Sequence, residues 1–229
     1  MSLTQKKQRI LEGVRQRGGL VSDSSKVDLR RQQAWRYWEN GFVHSLRRYN
    51  SFEEYLAQVP PVPQVSSELL KKFKYWVLID ARVDFRVMCR LLQIEYNYTQ
   101  RFFEDRYLIK QLRPNLHWIL CQDGHGHQDK SAAEWLEFFV ANKDEIPLTA
   151  REGLFLYAQY PEVISSDHQM ELPGSLEVNR PNNCPYLFQA QRRQGAKIIN
   201  LACLFSGGIN SIAFGYGTAS RLAMFFDQL

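Results

Sequence analysis

The sequence predicts an α+β protein: a helical N-terminal arm, then a body with a mixed sheet, packed helices and a C-terminal antiparallel β portion. Three observations carry this. Ser51-Phe52-Glu53-Glu54, Ser131-Ala132-Ala133-Glu134 and Thr149-Ala150-Arg151-Glu152 are capping boxes, in which a hydroxyl and a carboxylate satisfy the first backbone N–H groups of a helix. Tyr75–Asp80 and Leu116–Gln122 are compact apolar runs of strand length. From residue 185 onward, short apolar runs alternate with turns rich in Gly, Asn and Arg, a β texture.

The elements follow in order. Residues 4–17 read as a short amphipathic helix with Leu3, Ile10, Leu11 and Val14 apolar, ended by Gly18-Gly19. A longer helix over 26–49 carries Trp35, Trp38, Phe42, Leu46 and Tyr49 at helical spacing. Ser51 caps a further short helix. Pro60-Pro61-Val62-Pro63 cannot be helical and marks a boundary. It divides the chain into a basic helical arm, 1–60, and an α+β body, 64–229. A helical segment over 66–74 precedes the strand Tyr75–Asp80. Residues 81–93 fit both a strand and a helix, and a short helix over 84–93 is favoured. Leu116–Gln122 is a strand ending at the turn residues Asp123-Gly124. Helices follow over 131–142 and 149–159, the second stopped before Pro161. Strands are expected over 185–189, 197–204 and 211–214. If residues 192–195 form a hairpin loop, Cys184 stands opposite Cys203, at the roughly 4.5–5.5 Å of a directly opposed pair.

Composition narrows the class. A chain of 229 residues with 45% hydrophobic content can bury a sizeable core and is not wholly disordered. No apolar run approaches the roughly 18 residues of a membrane span. Four widely spaced cysteines do not make a disulfide framework, so a reducing cytoplasm is the expected compartment. Charge is uneven: residues 1–49 hold eleven Lys and Arg against four Asp and Glu, while the whole chain is only +5. Such a field can attract nucleic acid or an acidic partner. Arg30, Arg31, Arg36, Arg47 and Arg48 interleave with Trp35, Tyr37, Trp38 and Tyr49. Arginine on phosphate with aromatics on bases is one way single strands are held, and a wet arginine rim around buried tryptophans is the plainer alternative.

Three of the five histidines and one cysteine fall between His117 and His127. Imidazole and thiolate are common transition-metal ligands. On one strand, His117 and Cys121 stand about 13 Å apart at roughly 3.3 Å per residue, too far to share an ion. Cys121, His125 and His127 therefore form the candidate metal set, with Asp123 or Asp129 as an oxygen ligand and Gly124 and Gly126 permitting a tight backbone. Asp80 closes a strand and is a lone carboxylate. No P-loop, dinucleotide fingerprint or Ser–His–Asp order occurs, so the sequence assigns no catalytic residue and no cofactor beyond that possible divalent metal.

Two resemblances complete the reading. Ser206-Gly207-Gly208-Ile209-Asn210-Ser211 resembles the Ser-Gly-Gly-x-Asp-Ser loop of the ATP pyrophosphatase family, but Asn210 replaces the acid and only 18 residues follow Ser211. A glycine-rich hairpin turn is the better reading. Over about 75–221 the chain resembles an uncharacterised bacterial, mainly actinobacterial, domain family of unknown function. The matching residues are Tyr75–Asp80, the 116–123 stretch, Pro147-Leu148-Thr149-Ala150-Arg151-Glu152-Gly153, Pro161-Glu162, Leu172-Pro173-Gly174-Ser175, Pro185-Tyr186-Leu187 and Gly217-Thr218-Ala219-Ser220-Arg221. That resemblance implies no activity, cofactor or site residue. The expected function is a non-enzymatic cytoplasmic interaction protein, its basic arm contacting an acidic partner or a second copy. The alternatives are a small metal-dependent hydrolase near Cys121, His125 and His127, and nucleic-acid binding through the arm.

Overall fold

The computed structural model describes residues 24–96, 103–105, 114–127, 131–142, 144–177, 183–191, 196–205 and 216–222. The expected helix over 4–17, Asp129, the Gly207-Gly208 segment and the strand over 211–214 lie outside them.

The α+β class holds, with helices packed against two main sheets. The expected 26–49 helix is two helices, α1 (Ser24–Glu39) and α2 (Phe42–Ser45). Gly41 separates them. It adopts φ 82°, and its N–H donates to Trp38 O while that of Asn40 donates to Arg36 O, a left-handed helix stop open to glycine. The buried face of α1 also differs from the expected stripe. Gln33, Ala34, Tyr37 and Phe42 are buried, whereas Trp35 is 43% exposed. Helix α3 (Phe52–Gln58) is capped by Ser51 as expected, with Glu54 reaching back to the N–H of Asn50 at 2.7 Å. Helix α4 (Ser67–Lys72) leads into strand β1 (Tyr75–Asp80).

The ambiguous stretch is helix α5 (Phe85–Leu91). Asp84 decides it: its side chain accepts the N–H groups of Arg86 and Val87, an N-cap a strand would not use. Strands β2 (Ile94–Tyr96), β3 (Phe103–Asp105) and β4 (Leu116–Gln122) follow. Helices α6 (Ala132–Ala141) and α7 (Ala150–Gln159) both start on complete capping boxes, at Ser131 and Thr149, with β5 (Glu145–Pro147) between them. The chain ends in β6 (Gln169–Glu171), β7 (Ser175–Glu177), β8 (Asn183–Gln191), β9 (Lys197–Phe205), β10 (Tyr216–Thr218) and β11 (Ser220–Leu222).

One sheet, ordered β1-β4-β11-β5, is antiparallel throughout. The other, β10-β6-β8-β9-β2, is mixed, with β10 parallel to β6 and β2 parallel to β9. Strands β3 and β7 form a separate antiparallel pair. Only Ala219 separates β10 from β11, so one stretch of chain passes from the mixed sheet to the antiparallel one. The Ala219 N–H donates to Glu171 O and its carbonyl accepts from Leu148 N. In the β8–β9 hairpin Gln191 pairs with Lys197, leaving a loop one residue longer than expected. Cys184 therefore opposes Leu204, and Cys203 opposes Pro185. A one-residue change of register removes the expected cysteine pair.

The core crosses the Pro60–Pro63 boundary. Ala34, Tyr37, Phe42, Val43, Phe52, Tyr55 and Val59 belong to the same apolar cluster as Val77, Leu78, Trp118, Leu120, Leu154 and Phe155. Helix α1 also covers the outer edge of β1. Gln33 Nε2 donates to Trp76 O at 2.6 Å, Gln33 Oε1 accepts from Leu78 N at 2.8 Å, and the Tyr37 hydroxyl donates to Leu78 O. Two side chains thus do what a neighbouring strand would do for an edge. The described part of the arm is built into the body.

Candidate metal centre

Side chains alternate along a strand, and at the C-terminal end of β4 this sends consecutive residues to opposite sides. Gln122 goes one way and Asp123 the other. Gly124 then takes φ 98°, and His127 N–H closes the turn on Gly124 O at 2.8 Å.

On one side, the Asp123 carboxylate, 5% exposed as a residue, collects several donors. Tyr75 OH donates to Oδ2 at 3.0 Å, His125 N–H to Oδ1 at 3.2 Å, and His125 Nδ1 lies 2.9 Å from Oδ2. His168, the residue before β6, places Nε2 2.9 Å from the Asp123 carbonyl oxygen. A carbonyl only accepts, so Nε2 carries the proton and Nδ1 is the basic nitrogen of the neutral ring. The rings of His125 and His168 stack at 3.6 Å. Ligand atoms of Asp123, His125 and His168 all lie within 4.8 Å of one another.

The electrostatics suit a cation. Burial acts to raise the Asp123 carboxyl, but the backbone and ring of His125 and the Tyr75 hydroxyl outweigh it and hold it below the ordinary carboxylate value. Burial, with repulsion from His125, lowers His168 against the pull of the Asp123 carbonyl, so its ring stays neutral further into acid. The Tyr75 phenol is pushed up by burial and by the neighbouring Asp123. The exposed Asp167 carboxyl is held low, chiefly by its bond from Ser165 and also by the two imidazoles.

The other side holds a different buried network. Gln122 Nε2 lies 2.8 Å from both Ser220 Oγ and His127 Nδ1, and Gln122 Oε1 accepts from Gly124 N. The Ser220 hydroxyl donates to Glu145 Oε1, and Lys72 pairs with Glu145 Oε2. His127 Nε2 is 3.7 Å from Glu145 Oε1, and its ring stacks on Trp135 at 3.8 Å.

Cys121, His125 and His127 are thus not brought together as one donor set. His125 and Asp123 instead fall in a converging group whose third member is His168. His127 belongs to the Glu145 network. Cys121 is fully buried in β4, opposite Tyr75 and Arg221, and burial raises its thiol far above the ordinary value, against the thiolate a metal needs. His117, at the far end of β4, bonds Pro114 O through Nδ1 at 2.8 Å. His168 gave no local signal: it arrives after α7 and the 3₁₀ turn Pro161–Val163, too far along the chain for any spacing rule.

The five arginines of the arm divide. Arg30 donates to Val59 O at 2.8 Å and Leu56 O at 2.6 Å, and Arg36 donates to Gln159 O. Arg31 is exposed and pairs with Glu53 at 2.7 Å, while Arg47 and Arg48 are exposed. Asp80 is buried, held at 2.7 Å by Arg82 on both carboxylate oxygens, with the Tyr55 hydroxyl at 3.3 Å. No family model, curated protein or solved structure matches this chain.

Proposed function

We propose that the protein binds a divalent transition-metal ion through Asp123, His125 and His168 and is a small metal-dependent hydrolase. The convergence of those three ligand atoms within 4.8 Å carries the reading. On a tetrahedral ion with bonds of about 2.0 Å, ligand atoms lie roughly 3.3 Å apart. The 2.9 Å between Asp123 Oδ2 and His125 Nδ1 needs only a small opening, with the Nδ1 proton that bonds Asp123 in the metal-free protein released on binding. The stacked rings must also tilt so that both basic nitrogens aim at one point, and His125, 52% exposed in its side chain, has room to do so. Asp123, His125 and His168 would hold the ion and leave positions open, and the ion would supply water activation near neutral pH. The chain's own contribution is to keep Asp123 ionised and His168 neutral. The basic arm supports a function less directly, because Arg30 and Arg36 are engaged inside the fold.

Titration of metal-stripped protein with Zn²⁺, Co²⁺, Mn²⁺ and Fe²⁺ tests the site. One equivalent is expected to bind to wild type, and binding is expected to be lost in Asp123→Ala and His168→Ala while circular dichroism remains native. Hydrolysis of ester or phosphoester substrates should be abolished by a chelator and restored by the metal. Equal binding by wild type and a doubly substituted Asp123→Ala/His168→Ala chain would overturn the proposal.

A further inference from the structure

Gln122 stands between the two polar clusters. Asp123 and His125 meet only because the chain reverses at Gly124, whose left-handed φ of 98° lets the His125 N–H and ring fold back onto the Asp123 carboxylate. The N–H of Gly124 is held by the Gln122 carboxamide oxygen. That amide has little choice of orientation. Its nitrogen donates to Ser220 Oγ at 2.8 Å, since Ser220 uses its own proton on Glu145, and its oxygen takes the Gly124 N–H, which makes His127 Nδ1, also 2.8 Å from the nitrogen, an acceptor. Turning the amide over would set oxygen against Ser220 Oγ and nitrogen against the Gly124 N–H. Glu145 is in turn fixed by Lys72, so a continuous chain of polar contacts runs from Lys72 through Glu145, Ser220 and Gln122 to the Gly124 turn.

We infer that Gln122 is a positioning residue for the Asp123–His125 pair, acting through the Gly124 turn. Its consequence for metal affinity rests on the metal reading, whereas its grip on the turn can be measured without metal. Outer-shell hydrogen bonds of this kind typically change metal affinity by about 10–100-fold.

The test is Gln122→Met, which keeps the side-chain length and removes both amide functions. Exchange of the Gly124 amide and the imidazole NMR shifts of His125 are read in metal-free protein, and Zn²⁺ affinity is read by competition with a chromophoric chelator. The expected result is faster Gly124 exchange, His125 shifts moved towards those of an unrestrained histidine, and Zn²⁺ affinity lower by about 10–100-fold. Val43→Ala, a buried truncation in α2, controls for a general loss of stability and should leave all three readings in place. Should Gln122→Met not fold, Ser220→Ala keeps the Gly124 acceptor and removes one group that orients it, so the same changes should appear in smaller degree. If wild type binds Zn²⁺ and the variant binds it equally well, the inference is overturned. If the Gly124 and His125 readings do not move, it is likewise overturned. If wild type binds no metal yet the turn loosens in the variant, the positioning role stands and the metal reading falls.

Discussion

Two residues of the candidate site tie stability to acidity. His168 titrates below its ordinary value near 6.5 because burial disfavours its charged form. As pH falls through 6.5 the unfolded chain gains a proton that the folded chain still refuses, so stability declines until the folded His168 also titrates. Asp123 acts at lower pH. Its stabilising contribution is full above the ordinary 3.8 and is lost as pH falls through its depressed folded value. Urea unfolding at a series of pH values should show the first decline in wild type and a flatter profile below pH 6.5 in His168→Gln. Superimposable profiles would remove His168 as the cause. At this scale the sequence spoke unevenly. His125 and Asp123 were visible as a ligand and a carboxylate beside glycines, whereas His168 was invisible because only the tertiary path of the chain delivers it. Cys121 misled because a thiol's chemistry depends on burial, which strand alternation in a sheet covered on both faces does not reveal.

Caps make the helices legible, and one cap does double duty. Glu152 closes the Thr149 box, with Thr149 N–H donating to Oε2 at 2.8 Å, and its Oε1 lies 2.7 Å from Arg221 Nε on β11. Both charged groups are nearly inaccessible, so the start of α7 is bound electrostatically to the central strands of the antiparallel sheet. Glu152→Ala removes the reciprocal half of the capping box, leaving the Thr149 hydroxyl bond in place, and leaves the Arg221 charge buried without this partner, a loss of about 3–5 kcal/mol for breaking one side of such a pair. Glu152→Gln keeps a capping side chain and removes only the charge, so it should cost less than Glu152→Ala. Chemical denaturation of the two variants separates the contributions: equal losses would mean the Glu152 half of the cap adds nothing, and no loss in Glu152→Gln would mean the ion pair adds nothing. The strands Tyr75–Asp80 and Leu116–Gln122 were readable to the residue because both are apolar runs of strand length. The three-residue strands were not, since β5, β6, β10 and β11 are too short to show a period and depend on partners distant in sequence. The β8–β9 hairpin was foreseen, but its loop length, and hence which residues face Cys184 and Cys203, was not.

At the scale of the molecule, the polyproline boundary read from the sequence lies between two stretches of chain that share one core. Pro60 still bonds the body through its carbonyl, which accepts from Trp118 Nε1 at 2.9 Å. The basic charge drew attention to the arm's surface, and composition could not report that Gln33 and Tyr37 face inward. Removing residues 1–60 is therefore expected to abolish cooperative unfolding of the remainder, as followed by circular dichroism and calorimetry. A fragment 61–229 with a sharp transition would show instead that the body stands alone. The covered edge of β1 gives that experiment a second meaning. Without α1, the carbonyl and N–H of Leu78 lose the side chains that bond them, while the Trp76 carbonyl loses Gln33 and keeps the Tyr160 hydroxyl. The apolar strand Tyr75–Asp80 then becomes a template on which another copy of itself can add, strand upon strand. Gln33 and Tyr37 are placed to block such addition, and a clipped chain lacking them is expected to aggregate rather than stay monomeric.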